Sequence, residues 1–452
     1  MLTHSKFVIK TTTRISSTFK ELKIFHFLNK ANITQSKGIS TTSLFQLIFM
    51  LVFQHKTWFQ SLYSKKSSQL PSKDCVYRFL SKSNYNWRKF LSLLSAHTIS
   101  LIDGLTHKDR VKCFIIDDSP YNKNRSKKLA LSSRIYDHVS NSFLKGYHML
   151  TLGWSDGASF IPIDFAMVAT VKRILNQIRE DVDKRSCGFK RRKDALKEKP
   201  VLVIEMLKNA LHHGVLADYV LMDSWFTSGK LIQEISKLGL HTIGMLKHTS
   251  KVYYTYKGKK YTLEKLFPWA MKYAPGKGKA ILCSIIVQTK QEQYIKIIFV
   301  QNRKNKEQWL AIASTDTALS CEEIIRIYGY RWDIKLFFKY IKSELKLEKE
   351  YQVQNFDSII SHTTIVYTRY IFLSWERRVN LDPKTLGVLF QMHCDDMQGV
   401  EYITAIQMLL QIIEKMMTYL AAEIIEIINH LLLGWKSQLP KWLYDELGAF
   451  SV

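Results

Sequence analysis

Residues 111–118 read VKCFIIDD, a run of β-formers that stops on two acids. A second run, 219–223 (YVLMD), ends the same way and continues as Ser224-Trp225-Phe226. Short apolar runs of this kind match strands buried on both faces, as in a sheet flanked by helices. An acid directly after such a strand is costly to desolvate unless cations pair with it. The two runs therefore predict strands that deliver carboxylates to one rim of a sheet. Alternation along a strand sends Asp117 and Asp118 to opposite faces, so only one of them looks into a shared site with Asp223.

Working outward, residues 147–154 (YHMLTLGW) and 160–169 (FIPIDFAMVA) read as strands, with Asp156-Gly157 as the turn between them. A basic segment and a helix follow over 184–211, then the second acid-ending strand, a helix over 229–238 and a strand over 241–246 (HTIGML). The order strand–strand–strand–helix–strand–helix predicts an α/β, ribonuclease-H-like core. Four further β-type runs at 252–256, 281–287, 294–300 and 309–313 predict a β-rich insertion over about 250–315. Residues 1–105 read as helices joined by polar, basic links such as 63–72 (YSKKSSQLPS) and suit a DNA-binding unit. The core spans 106–378. Residues 379–452 read as a helical C-terminal part, in which 401–435 is expected to pack against the core rather than form a dimerisation helix.

The stretch 327–347 (IYGYRWDIKLFFKYIKSELKL) predicts one amphipathic helix. Ile327, Ile334, Phe337, Phe338, Ile341 and Leu345 form its apolar face. Tyr328, Arg331, Lys335 and Lys342 fall at roughly 0, 300, 340 and 320° on a wheel of about 100° per residue, a single stripe roughly 60° wide. On the same wheel Asp333, Glu344 and Glu348 lie at about 140, 160 and 200°, on the other side unless the helix breaks.

Tyr328, Arg331 and Lys342 fit the spacing Y-x2-R-x3-E-x6-K, with Lys335 in place of the Glu. This pattern resembles the DDE transposases of the insertion sequence 4 family. Further resemblance lies in the Asp-x-Ser of 117–119, in 124–128 (NRSKK), in 152–157 (LGWSDG) and in 187–193 (CGFKRRK), so that it covers most of 110–378. The resemblance implies a ribonuclease-H-like catalytic core in which Asp117, Asp223 and position 335 form the catalytic triad. Asp117 and Asp223 would hold two divalent ions, Mg2+ or Mn2+, and Tyr328, Arg331 and Lys342 would grip the DNA end. Asp118 stays open as the alternative first acid. It further implies double-stranded DNA as partner, both the terminal inverted repeats of a bacterial element and target DNA, and a dimer on DNA. The basic run 190–193 is expected to be a solvated or phosphate-facing turn rather than a nuclear import signal.

Lys335 changes the charge at the Glu position by two units, and a protonated lysine has no lone pair to donate. At ~4 Å from a divalent ion its repulsion amounts to several kcal/mol even at an effective dielectric of ~20. The expectation is a transposase with impaired strand cleavage and strand transfer, or an inactive DNA-binding remnant. A nuclease that cuts without transposing is a third reading. Trp225 and Trp332 stand beside Asp223 and Arg331. Core packing is the expectation for both, with stacking on unpaired bases as the alternative.

Composition agrees with a polyanion partner: 66 Lys+Arg stand against 39 Asp+Glu, a formal net charge of +27. Charge alone does not separate nucleic acid from an anionic membrane surface. The longest apolar run, 47–53 (LIFMLVF), is far short of the ~20 residues that span a bilayer. The run 358–375 carries His362 and Arg369 and reads as a buried helix. Six scattered cysteines show no zinc spacing and fit reduced thiols in a cytoplasmic, nucleoid-associated protein. The acid-free, Ser/Thr-rich residues 1–20 faintly resemble an organelle transit peptide but lack an Arg-rich amphipathic face.

Overall fold

A computed structural model describes residues 13–63, 70–137, 140–178, 182–273, 276, 280–302, 305, 307–350, 355–380 and 384–439. The first residues of the acid-free start (1–12), most of the basic link (64–69) and the tail 440–452 lie outside the described residues.

Helices α1 (Thr13–Glu21), α2 (Ile24–Lys30), α3 (Thr41–Met50), α4 (Trp58–Leu62), α5 (Lys73–Ser81) and α6 (Trp87–Gly104) come first. Their starts follow local chemistry: Ser40, Thr57, Ser72 and Asn86 accept backbone N–H groups as N-caps. Strands β1 (Cys113–Asn122), β2 (Ser133–Asp137), β3 (Ser142–Ser155) and β4 (Phe160–Val168) follow. Next are α7 (Cys187–Asp194), α8 (Lys199–His212), β5 (Tyr219–Met222), α9 (Gly229–Ser236) and β6 (His241–Met245).

The sheet explains why two distant runs end at one rim. β3 lies antiparallel to β1 and pairs along its outer edge with β2 and then β4. On the other side β5 runs parallel to β1, with Cys113 opposite Tyr219, and β6 runs parallel to β5. The order β4-β3-β1-β5-β6, with one antiparallel strand between two outer ones and two parallel additions, is the ribonuclease-H-like arrangement. Because β1 and β5 are parallel and in register, with Ile115 opposite Leu221, Asp117 inside β1 and Asp223 just past β5 arrive side by side, and β1 runs on to Asn122 instead of ending at its acids.

The insertion comprises β7 (Tyr254–Tyr256), β8 (Lys259–Tyr261), α10 (Leu263–Tyr273), β9 (Ile281–Gln288), β10 (Tyr294–Gln301) and β11 (Trp309–Ser314). It extends the core sheet, since β11 pairs antiparallel with β6 and the order continues β11-β10-β9-β7-β8. Its inner side has its own apolar cluster, centred on Leu266, Val287, Ile297 and Phe299.

The expected single helix over 327–347 is two. α11 (Cys321–Gly329) opens with a capping box between Ser320 and Glu323, and α12 (Trp332–Ser343) follows. Between them Tyr330, Arg331 and Asp333 donate to the carbonyls three residues back, at 3.0 Å each. This tighter winding re-aims the chain after Gly329, a poor residue for a helix interior. α12 keeps its apolar face: Ile334, Phe337, Phe338 and Ile341 are buried.

Helix α13 (Phe356–Val379) is buried on nearly every side and packs against α3, α5, α6 and β4. The 190–193 run is not a turn but part of α7; Lys190 and Lys193 are exposed, whereas Arg191 and Arg192 are buried on Asp357 at 2.6 and 2.8 Å. The C-terminal expectation also fails. Helix α14 (Leu386–Met417) buries Leu389, Phe390, Cys394 and Met397 near α13, but Met408, Leu409, Ile412 and Met416 are exposed. Helix α15 (Ala422–Ser437) likewise leaves Ile424, Ile427 and Leu431 in the open. The helices outrun the core they were expected to cover. Among the described residues no helix is long and apolar enough to cross a membrane.

Candidate active site

Asp117 sits in β1 with its carboxylate on the side of α12, almost fully buried. Asp118 points to the opposite face, as alternation requires. There it accepts Lys199 Nζ at 2.8 Å and His148 Nδ1 at 3.0 Å. Burial opposes ionisation of Asp118, but the hydrogen bond from His148 and the charge of Lys199 outweigh it, and its carboxyl is held below the ordinary value. Neither partner was legible in the sequence. His148 lies on the same sheet face by cross-strand pairing, and Lys199 arrives from the start of α8.

Four predicted residues meet on the Asp117 side. Lys335 Nζ is 2.5 Å from Asp117 Oδ2. Arg331 Nη2 stands 3.4 Å from the same oxygen and 3.5 Å from Asp223 Oδ2, so one guanidinium nitrogen faces both carboxylates. Arg331 and Lys335 reach Asp117 together because they lie four residues apart, one turn along the chain. Burial raises the Asp117 carboxyl above its ordinary value, and Asp223 adds to this, although Arg331 and Lys335 pull it down.

The remaining carboxylate oxygens are already engaged. Asp117 Oδ1 accepts the Asp118 N–H at 3.0 Å, and Asp223 Oδ1 accepts Trp225 N–H at 2.9 Å and Phe226 N–H at 3.3 Å. The last two bonds shape the turn that leads β5 toward α9.

Tyr328 and Lys342 are placed differently. The Tyr328 hydroxyl is buried without a well-formed hydrogen bond, and burial pushes its pKa to about 12 against the nearby charge of Arg331. Lys342 stays away from the two carboxylates. Its Nζ donates to the Pro120 carbonyl at 2.6 Å and lies 3.8 Å from Glu348, near the end of β1. Glu348 also accepts the Asn122 N–H at 3.1 Å, and burial raises its carboxyl. Asp333 donates nothing to the site; it accepts from Ser155 at 2.7 Å. So the helix break does not bring Asp333 or Glu348 to Asp117 as a replacement acid. Trp225 and Trp332 are both exposed rather than packed in the core.

A two-ion centre needs open carboxylate oxygens converging on ions ~3.5–4 Å apart. Here an ammonium and a guanidinium occupy that position, and among the described residues no group of three or more His, Cys, Asp or Glu could hold a metal ion. The donor set does not fit two divalent ions.

Residues 67–262 match the family described as DDE superfamily endonuclease, and residues 197–353 match the family described as Transposase DDE domain. No curated protein matches the sequence. Among solved structures, the chain is similar to a piggyBac transposase in a synaptic complex with hairpin DNA. The identity is 10% and the TM-score 0.46, over 99% of this chain and 86% of that one. It is also similar to the Drosophila P element transposase in a strand transfer complex, at 12% identity and a TM-score of 0.23, over 58% and 55% of the two chains. Neither likeness is close enough to bear on the site. Endonucleases of the DDE superfamily generally use divalent metal ions. The two family matches together span residues 67–353, and both descriptions are of DDE domains.

Proposed function

We propose that this chain is a DNA-binding protein of the transposase type, of the insertion sequence 4 branch, whose strand cleavage and strand transfer are suppressed by Lys335. Its substrates are the terminal inverted repeats of a bacterial element, with target DNA as second partner, and it acts as a dimer because paired ends require two copies. It works in the cytoplasm, on the nucleoid.

The observation that carries this reading is the 2.5 Å contact between Lys335 Nζ and Asp117 Oδ2. A tethered cation there competes with any divalent ion for the same oxygen. DNA affinity depends instead on the net charge of +27, since phosphate contacts come from Lys and Arg.

A second reading, an active strand transferase with Asp117 and Asp223 as its metal ligands, has one observation in its favour. Both carboxylates face a single Arg331 nitrogen, at 3.4 and 3.5 Å. The test is a cleavage assay on cognate ends with Mg2+ or Mn2+, comparing the natural protein with Lys335→Glu, alongside binding measured in EDTA. The proposal expects metal-free binding by both proteins and cleavage only by Lys335→Glu. Robust cutting by the natural protein supports the second reading. Strand-transfer products alongside nicks separate a transposase from a plain nuclease.

A further inference from the structure

Trp225 is a large aromatic side chain left outside every apolar cluster, with 56% of its surface exposed. Tryptophan is ordinarily among the more buried side chains on average. The indole is nevertheless held in place from three sides. Its backbone N–H donates to Asp223 Oδ1 at 2.9 Å, so the ring projects from the turn that carries one of the two candidate carboxylates. Its ring meets that of Phe226 at 4.7 Å and 73°, and Phe226 is buried. Lys199 Nζ stands 4.5 Å from the centre of the ring.

Lys199 is fixed in turn. Its ammonium is 2.8 Å from Asp118 Oδ2, which also accepts from His148. The ring therefore has a cation on one face, anchored through a carboxylate to β1 and β3. Despite the Lys199 and Phe226 contacts, more than half of the residue's surface stays exposed. A flat π surface, preset and backed by positive charge, suits a ligand that offers a flat face together with a phosphate.

We propose that Trp225, backed by Lys199, is a stacking platform for one unpaired nucleobase at a DNA end. The proposal rests on the DNA-binding reading above and adds which structural form of DNA the site prefers. Bases inside a duplex are stacked on both faces and have no face to give. A base in a short single-stranded overhang has one. The platform lies two residues from Asp223, and its cation Lys199 is held by Asp118 on the sheet face opposite Asp117, so the overhang would pass the end of β5 on the Asp118 side.

The experiment compares two DNA probes with identical duplex sequence, one blunt and one with a three-nucleotide overhang carrying 2-aminopurine. Affinity and 2-aminopurine fluorescence are measured without divalent ions for the natural protein, Trp225→Ala, Trp225→Phe and Lys199→Met. The natural protein is expected to prefer the overhang and to quench the fluorophore. Trp225→Ala should lose roughly tenfold or more in overhang affinity, the size of one base–aromatic stack, and keep its affinity for the blunt probe. Trp225→Phe should retain most of the preference, and Lys199→Met should show an intermediate loss. Equal loss on both probes, with a lowered melting temperature, would overturn the platform in favour of a structural role. No preference in a natural protein that binds both probes would overturn the platform alone. Failure to bind either probe would overturn the DNA-binding reading with it.

Discussion

Lys335 Nζ and Asp117 Oδ2 lie 2.5 Å apart, a direct ion pair between a half-exposed ammonium on α12 and a buried carboxylate on β1. Burying a carboxylate without a partner is costly, so the lysine meets a need of the fold as well as altering the chemistry of the site. Arg331 supplies a second cation to the same oxygen. The site as built is balanced without a metal ion, and this has measurable consequences.

Divalent ions should leave the melting temperature of the natural protein unchanged, because their place is taken. Lys335→Glu should instead gain stability with added Mg2+ or Mn2+, by about 2.7 kcal/mol once the ion exceeds its dissociation constant a hundredfold. Thermal melts across a metal titration measure this. Equal shifts in both proteins would remove Lys335 from the charge balance of the site.

Asp118 provides a pH signature. Its carboxyl is held below the ordinary carboxylate value by His148 and Lys199 against the opposing effect of burial. A depressed carboxylate stabilises the fold at any pH above its unfolded value and loses that contribution as pH falls through its folded value. The stability gap between the natural protein and Asp118→Asn should therefore be constant above about pH 5 and shrink below about pH 4. Denaturant melts at stepped pH are the measurement, and a gap that widens in acid would contradict the assignment.

Arg369 is fully buried and grips Glu350 with both terminal nitrogens at 2.8 Å. It also donates to the carbonyls of Phe49 and Ile48 at the end of α3, while His362 holds Glu350 at 2.8 Å. Arg369→Leu would leave Glu350 underpaired in the interior and should cost about 3–5 kcal/mol. Urea unfolding measures the loss. A change below about 1 kcal/mol, the size of a surface pair, would show that the network adds little.

Gly146 lets β1 and β3 approach closely. A Cβ there would stand 1.9 Å from the Tyr121 carbonyl oxygen, a backbone atom that has little room to yield. Gly146→Ala should destabilise the protein by about 1–3 kcal/mol, as overpacked sites do. Gly214, where a Cβ meets nothing within 4 Å but φ is +78°, provides a control in which any cost comes from backbone strain alone.

Much of the core could be read from short patterns. The runs 111–118 and 219–223 carry β-formers up to an acid, and strand alternation alone separates Asp117 from Asp118. Both features are local and repeat every two residues, so tertiary context has little freedom to change them. The pairing of Arg331 with Lys335 was legible for the same reason, since four residues on a helix return to one face. The break between α11 and α12 was less so, although Gly329 marks it. The buried fate of Arg191 and Arg192 was hidden, because their partner Asp357 is 166 residues away from Arg191 in sequence. A run of Arg and Lys reads as solvated until that carboxylate is placed beside it.

By itself, then, the sequence located most core strands and the two acids they carry, and showed that a lysine stands in the stripe where the resemblance expects an acid; it did not show that β1 runs on past Asp117 and Asp118 to Asn122, nor the strands β2 and β8. Only the tertiary structure decided that Lys335 closes on Asp117, that Lys342 turns to the end of β1, and that Trp225 is left in the open over Lys199. The reason is one of range. Periodicity and propensity act over a few residues, whereas a carboxylate's partner is chosen by which strands and helices the whole fold brings to the same rim.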